Sequence, residues 1–171
     1  MLHLPNPSPL HRADILEKEA QKRSSLLFYC YNPQEERGGK AVAYILCNIS
    51  GLNIHVIKLA VKAECRRQGL GKACLQEALR YAVRERRCIS ASLHVASDNA
   101  AAISLYVSGG FTEDAYLESY YRPGRHAYRM ILDLRNSAVF LTWIQQGLPQ
   151  PVALLDGDTG TQSAVAEGTS R

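Results

Sequence analysis

Arg66-Arg67-Gln68-Gly69-Leu70-Gly71 is the stretch whose residue types and spacing could do chemistry. It lies where a strand-like run ends and a helix-like run begins. Two glycines let the backbone turn tightly and approach a ligand closely, and the first N–H groups of the following helix have no acceptor within it. A helix start presented in this way binds phosphate, and Arg66 and Arg67 add charge at the same spot. The implied ligand is a diphosphate. Two familiar phosphate motifs fail on the residues. A P-loop needs Gly, four residues, then Gly-Lys-Ser/Thr, but Arg66 stands where the first Gly belongs and Ala73 follows Lys72. A dinucleotide fingerprint needs a third Gly where Cys74 stands.

The elements that must position this loop follow from periodicity. Leu26 to Tyr31, Lys40 to Asn48 and Asn53 to Val61 are strand-like, and the polar run Asn32 to Gly39 supplies the turn of an antiparallel hairpin. From Leu70 the period changes. Leu70, Ala73, Cys74, Ala78, Leu79, Ala82 and Val83 fall on one side of a helix, while Lys72, Gln76, Arg80 and Arg84 line another. Ile89 to Val95 reads as a strand. Ser97 or Asp98 is then expected to cap a helix over Asn99 to Ser108, closed by Gly109-Gly110. Two further strands, Thr112 to Tyr121 and His126 to Leu134, flank the turn Pro123-Gly124. The alternation implies a right-handed crossover with Asn53 to Val61 and Ile89 to Val95 parallel. Asp14 to Arg23 is expected to form a short helix with a small apolar stripe.

Composition narrows the class. With 171 residues, 46% hydrophobic and 21% charged, the chain is a globular protein of one domain, neither disordered nor fibrous. No apolar run approaches the roughly 18 residues a membrane span needs. A net charge of +4 is a modest basic excess, concentrated at Arg66, Arg67, Arg84, Arg86 and Arg87. No aromatic stacking platform accompanies these arginines, so a nucleic-acid partner is not expected. Five cysteines without a CxxC pair suggest neither a disulfide framework nor a zinc site, and no metal is expected. They fit a reducing, cytoplasmic setting. Residues 1–13 read as a flexible leader, with a remnant of organelle targeting left open.

The loop matches the pattern Gln/Arg-x-x-Gly-x-Gly/Ala, and in this it resembles the GNAT acetyltransferases. A second block agrees: Leu93-His94-Val95, then Asn99, Ala102, Tyr106 and Gly110-Phe111. Its spacing is similar to that of the catalytic subunits of N-terminal acetyltransferases and of bacterial ribosomal-protein alanine acetyltransferases. The paired Tyr120-Tyr121 resembles the tyrosines those enzymes place over a peptide. The resemblance covers about Lys40 to Leu134. It implies an α/β GNAT fold with a mixed central sheet and flanking helices, occupying residues 14–135; the sequence departs from the family in a shortened N-terminal region, where Asp14 to Arg23 alone stands for its usual first strand and two helices. It also implies acetyl-CoA as cosubstrate and a protein or peptide N-terminus as acceptor. Residues 136–155 form an apolar extension whose Phe140, Trp143 and Ile144 either pack on the domain or meet a partner subunit. Residues 156–171 read as a disordered tail.

The resemblance assigns roles residue by residue. His94 stands where the eukaryotic enzymes carry His within Leu-His-Val and is the candidate base; the competing reading is a structural strand histidine. His55 falls where those enzymes use Tyr as a partner in deprotonation. Tyr106 would protonate the coenzyme thiolate, and Asn99 would hold the pantetheine arm or cap its helix. Backbone N–H groups at Leu59, Ala60 and Val61 would meet the thioester oxygen. Arg66, Arg67, Gln68, Gly69, Leu70, Gly71 and Lys72 would hold the diphosphate, and Ile57, Tyr120 and Tyr121 would contact the peptide. An imidazole with a pKa near 6.5 is neutral enough at pH 7 to serve an α-amine near 7.7 to 8.0, and is poorly matched to a lysine near 10.4. A lysine or polyamine acetyltransferase and a non-catalytic CoA-binding regulator are the alternatives.

Overall fold

Every second residue of the central strands is apolar, and that alternation builds one face of a sheet. Ala43, Ile45 and Cys47 are buried along one strand, Ile54 and Val56 along the next, and Ala91, Leu93 and Val95 along a third. A computed structural model describes residues 24–31, 41–145 and 153–155. Its strands are β1 (Ser25–Tyr31), β2 (Ala41–Ser50), β3 (Asn53–Val61), β4 (Ser90–Ala96), β5 (Thr112–Arg122), β6 (Arg125–Asp133) and β7 (Ala153–Leu155). The helices are α1 (Leu70–Arg84), α2 (Ala100–Ser108) and α3 (Ala138–Gln145), with a single 3-10 turn at Ala63–Cys65. The sheet runs β5-β6-β4-β3-β2-β1-β7. It is mixed: β3 and β4 are parallel, joined by α1, and the other pairs are antiparallel.

The apolar stripe of α1 buries Ala73, Cys74, Leu75, Ala78, Leu79 and Ala82. Leu75 and Leu79 are fully buried, which contributes roughly 1.5–3 kcal/mol each. Tyr81 meets Phe28 of β1 edge to face at 5.5 Å, and the thiols of Cys30 and Cys74 lie 3.4 Å apart between β1 and α1. The polar line of α1 has a partner that periodicity did not reveal. Gln76 is fully buried and its Nε2 donates to the Trp143 carbonyl at 2.6 Å, while Arg80 donates to the Ile144 carbonyl. Lys72 places its ammonium 5.7 Å from the Trp143 ring centroid. Thus α1 satisfies the last carbonyls of α3, which a helix cannot satisfy for itself. Phe140 and Trp143 are buried, and the extension packs on the domain through them.

One expectation is corrected: Asn99 caps α2, rather than Ser97 or Asp98. Its side chain accepts from the Ala102 N–H at 3.2 Å, and the backbone turns helical only after it. At the other end of α2, Gly110 has φ +92°, and a Cβ there would lie 2.9 Å from Ser137 Oγ. No helix among the described residues is long and apolar enough to cross a membrane. The expected leader, the helix at Asp14 to Arg23, the turn Asn32 to Gly39, the shortened N-terminal region and the tail lie outside the described residues.

Candidate active site

Two parallel strands that part company make the opening. β3 and β4 pair from Asn53↔Ser90 to Val56↔Leu93, and there the ladder stops. Beyond it, Lys58 to Val61 pair only with β2, and His94 to Ala96 only with β6. The separation begins at a bulge, where Ile57 is the extra residue between the pairs Cys47↔Val56 and Leu46↔Lys58. Residues of an antiparallel ladder turn their N–H and C=O alternately toward and away from the partner strand. Alternate residues of the backbone from Ile57 to Val61 therefore face the opening with no strand to pair with, and of the adjacent Leu59 and Ala60 one turns its N–H that way. The bulge lies upstream of the three residues singled out from the resemblance.

His55 and His94 flank the closed end of the opening, with ring centroids 5.3 Å apart. Both imidazoles hold their protons more weakly than a free one. For His55 the causes are burial and then the charge of His94; for His94 they are burial and then Arg129, its register partner on β6. Arg129 is itself paired with Asp114. His55 Nδ1 lies 3.0 Å from Ser92 Oγ, and Asn53 Nδ2 donates to the same oxygen at 2.9 Å. Tyr120 stacks on His94 at 4.6 Å with its hydroxyl 3.1 Å from Nδ1, and the Tyr121 hydroxyl donates to the His94 carbonyl at 3.3 Å. The two tyrosines and two histidines thus form one cluster. Both phenols engage His94 here, and Ile57 stands exposed at the bulge.

The far end of the opening is bounded by the start of α1. Arg66 Nε donates to the Val61 carbonyl at 3.3 Å, which ties the loop to the end of β3. Arg67 and Gly69 both adopt positive φ, 64° and 82°, so the chain makes a tight reversal before the helix. The first bond of the helix is Ala73 N–H to the Gly69 carbonyl at 2.9 Å, and no side chain caps it. The N–H groups of Leu70 and Gly71 are left for a ligand, beside the exposed Arg66, Arg67 and Gln68. A Cβ on Gly71 would sit 3.5 Å from Leu105 and 3.6 Å from Val61, so this turn lies between β3 and α2. Uncapped amides, two guanidinium groups and a close backbone turn fit an anionic group such as a diphosphate.

Tyr106, next to Leu105 on α2, is buried against Phe111 at 5.8 Å. Burial, then Cys47 and Tyr121, push its phenol up to about 12. Its hydroxyl has no hydrogen-bond partner among the described residues. Asn99 is occupied as the cap of α2. Asn53, Ser90, Ser92 and Arg129 are site neighbours that the sequence reading did not select. The signal was present in the period of two that puts Ser90, Ser92 and His94 on one face.

The profile described as the Acetyltransferase (GNAT) family matches residues 2–111. The chain is 36% identical over 102 residues to an uncharacterized N-acetyltransferase of Methanocaldococcus jannaschii, covering 60% of this chain and 65% of that protein. It is 36% identical over 80 residues to an N-alpha-acetyltransferase of Sulfurisphaera tokodaii, covering 47% of this chain and 48% of the relative. The chain therefore spans less than two thirds of the length of either. Among solved structures, the ribosomal-protein-S18-alanine N-acetyltransferase of Escherichia coli superposes with a TM-score of 0.60 at 28% identity, over 77% of this chain and 79% of that one.

Proposed function

The chain belongs to the GNAT acetyltransferase family, and we propose that it transfers an acetyl group from acetyl-CoA to the α-amine of a protein or peptide N-terminus. The observation that carries this reading is the pair of histidines, 5.3 Å apart and both biased toward the neutral ring, at the closed end of the β3–β4 opening. A neutral imidazole is a base of modest strength. At pH 7 about one α-amine in ten is already unprotonated, against about four lysine amines in ten thousand. The site is therefore matched to the α-amine. Two similar proteins, from Sulfurisphaera tokodaii and Escherichia coli, bear names for N-alpha and ribosomal-protein alanine acetylation.

Acetyl-CoA supplies the acetyl thioester. Leu70 and Gly71 N–H, with Arg66 and Arg67, hold its diphosphate, and the unpaired N–H groups between Ile57 and Val61 meet the thioester oxygen. His94 or His55 takes a proton from the amine as the new C–N bond forms. Tyr106, still protonated at neutral pH, gives its proton to the departing thiolate, so an amide and a thiol leave the site. The rings of Tyr120 and Tyr121 flank the acceptor backbone beside His94.

The test is mass spectrometry after incubation with acetyl-CoA and three acceptors: a peptide with free α-amine and blocked lysines, the same peptide with blocked α-amine and free lysines, and spermidine. Acetylation of the first alone is expected. Acetylation of the second or third without the first would replace this reading with lysine or polyamine acetylation.

A further inference from the structure

A row of small polar side chains crosses the sheet face that carries the histidines. Ser90 Oγ donates to Asn53 Oδ1 at 3.0 Å, Asn53 Nδ2 donates to Ser92 Oγ at 2.9 Å, and Ser92 Oγ lies 3.0 Å from His55 Nδ1. All four side chains are partly buried, and the chain ends on one nitrogen of a candidate base. His55 Nε2 has no partner among the described residues. A ring engaged at one nitrogen and open at the other is already oriented for proton exchange through the open one.

We propose that Ser92, held by Asn53 and Ser90, is a positioning residue for His55, accepting the Nδ1 proton so that Nε2 is the basic nitrogen. This rests on His55 acting as a base in the proposed transfer. The proton count supports it. A serine hydroxyl has one proton to give and two lone pairs. While Asn53 donates to one lone pair of Ser92, the other lone pair can accept from His55 Nδ1–H, or the serine proton can be directed at Nδ1 with the ring proton on Nε2. A half-turn of the Asn53 amide exchanges its oxygen and nitrogen and reverses the chain. Ser92 then donates to Asn53, His55 Nδ1–H donates to Ser92, and Nε2 is bare. An imidazolium carries protons on both nitrogens, so it too is served by the reversed chain. Asn53 and Ser92 thereby satisfy His55 Nδ1 before and after it takes a proton.

The charged and titratable surroundings of His55 are few among the described residues. β4 contributes His94, and β6, one strand further, carries Arg129 and Asp133, while β2 presents the uncharged Asn48 opposite it. A carboxylate at position 53 accepts and cannot donate, so Asn53→Asp locks the reversed direction and adds negative charge near the ring.

The experiment is nitrogen-15 NMR of histidine-labelled full-length protein titrated with acid, with the His55 signals assigned from their loss in His55→Gln. In Asn53→Asp the Nδ1-protonated form of His55 should dominate and its pKa should rise by about one unit. In Ser92→Ala the Nδ1-protonated form should decline, and Ser92→Thr should restore it. Acetylation kinetics on the same variants should give a kcat about tenfold lower for Ser92→Ala with the KM for acetyl-CoA unchanged, and near wild type for Ser92→Thr. A purely structural serine would lower the melting temperature and leave the tautomer alone. Ring signals that ignore both substitutions overturn the inference, whatever the activity. Ring signals that respond as expected, in a protein whose His55→Gln variant acetylates at full rate, uphold the positioning and overturn the role of His55 as base.

Discussion

In the proposed transfer Tyr106 and the histidines stand on opposite sides of one proton balance, and their surroundings push them in the directions that balance needs. Burial raises the phenol to about 12, so it arrives protonated, and lowers both imidazoles, so they arrive neutral. Replacing Tyr106 with Phe removes a proton without removing a ring. We expect kcat to fall about 100-fold while acetyl-CoA affinity, measured by calorimetry, is unchanged. Loss of affinity at full turnover would make Tyr106 a binding group. On this reading the enzyme's own contribution to the acid side of the pH profile comes from the histidines. In the proposed transfer their neutral form is the active one, and both pKa values are lowered from 6.5, so activity corrected for the fraction of free α-amine should persist through 6.5 and fall only at lower pH. Arg129→Gln removes a positive charge beside His94, which eases protonation, so the acid limb should move upward. Because burial is the larger cause for His94, the limb should stay below 6.5. A limb that moved downward would refute this account of the ring.

Helices α1 and α3 are joined by polar atoms rather than by an apolar seam alone. Gln76→Ala should destabilise the fold by about 1–3 kcal/mol, since it strips the Trp143 carbonyl of its donor inside the core. Urea unfolding measures it, and a neutral result would show that the carbonyl finds another partner. This element also shows where sequence was and was not informative. The period of α1 and the alternation in β3 and β4 are local patterns, and they were legible. Gln76 belonged to a visibly polar line, yet what it meets is 67 residues away, and no period encodes that. Ser97, Asp98 and Asn99 are all good caps in a row, and only the backbone path selects Asn99. The bulge at Ile57 is a matter of strand register and carries no side-chain signature, whereas the tight turn and uncapped helix start at Arg66 to Gly71 are announced in residue types. The role of Ser92 needed a face and a neighbouring strand before it had any meaning.

Across the whole molecule the sheet consists of two antiparallel portions, β7-β1-β2-β3 and β4-β6-β5, joined by four register pairs between β3 and β4. Pairs within β2–β3 and β5–β6 close over short turns, whereas His55 and Ser92, across the seam, are 37 residues apart in the chain with α1 between them. Closing a longer loop costs more entropy, and contacts of that kind form late. Pulse-labelled hydrogen exchange during refolding should therefore protect the amides of β2 and β6 before those that bridge β3 and β4. Simultaneous protection would mean that the seam forms with the nucleus. A seam that forms late would matter to a cell making this protein. His55 and His94 lie on opposite sides of it, so in the proposed transfer a nascent or partly folded chain would hold two separate halves of the site and would not acetylate its surroundings. Completion of folding would then itself be the event that switches the proposed chemistry on.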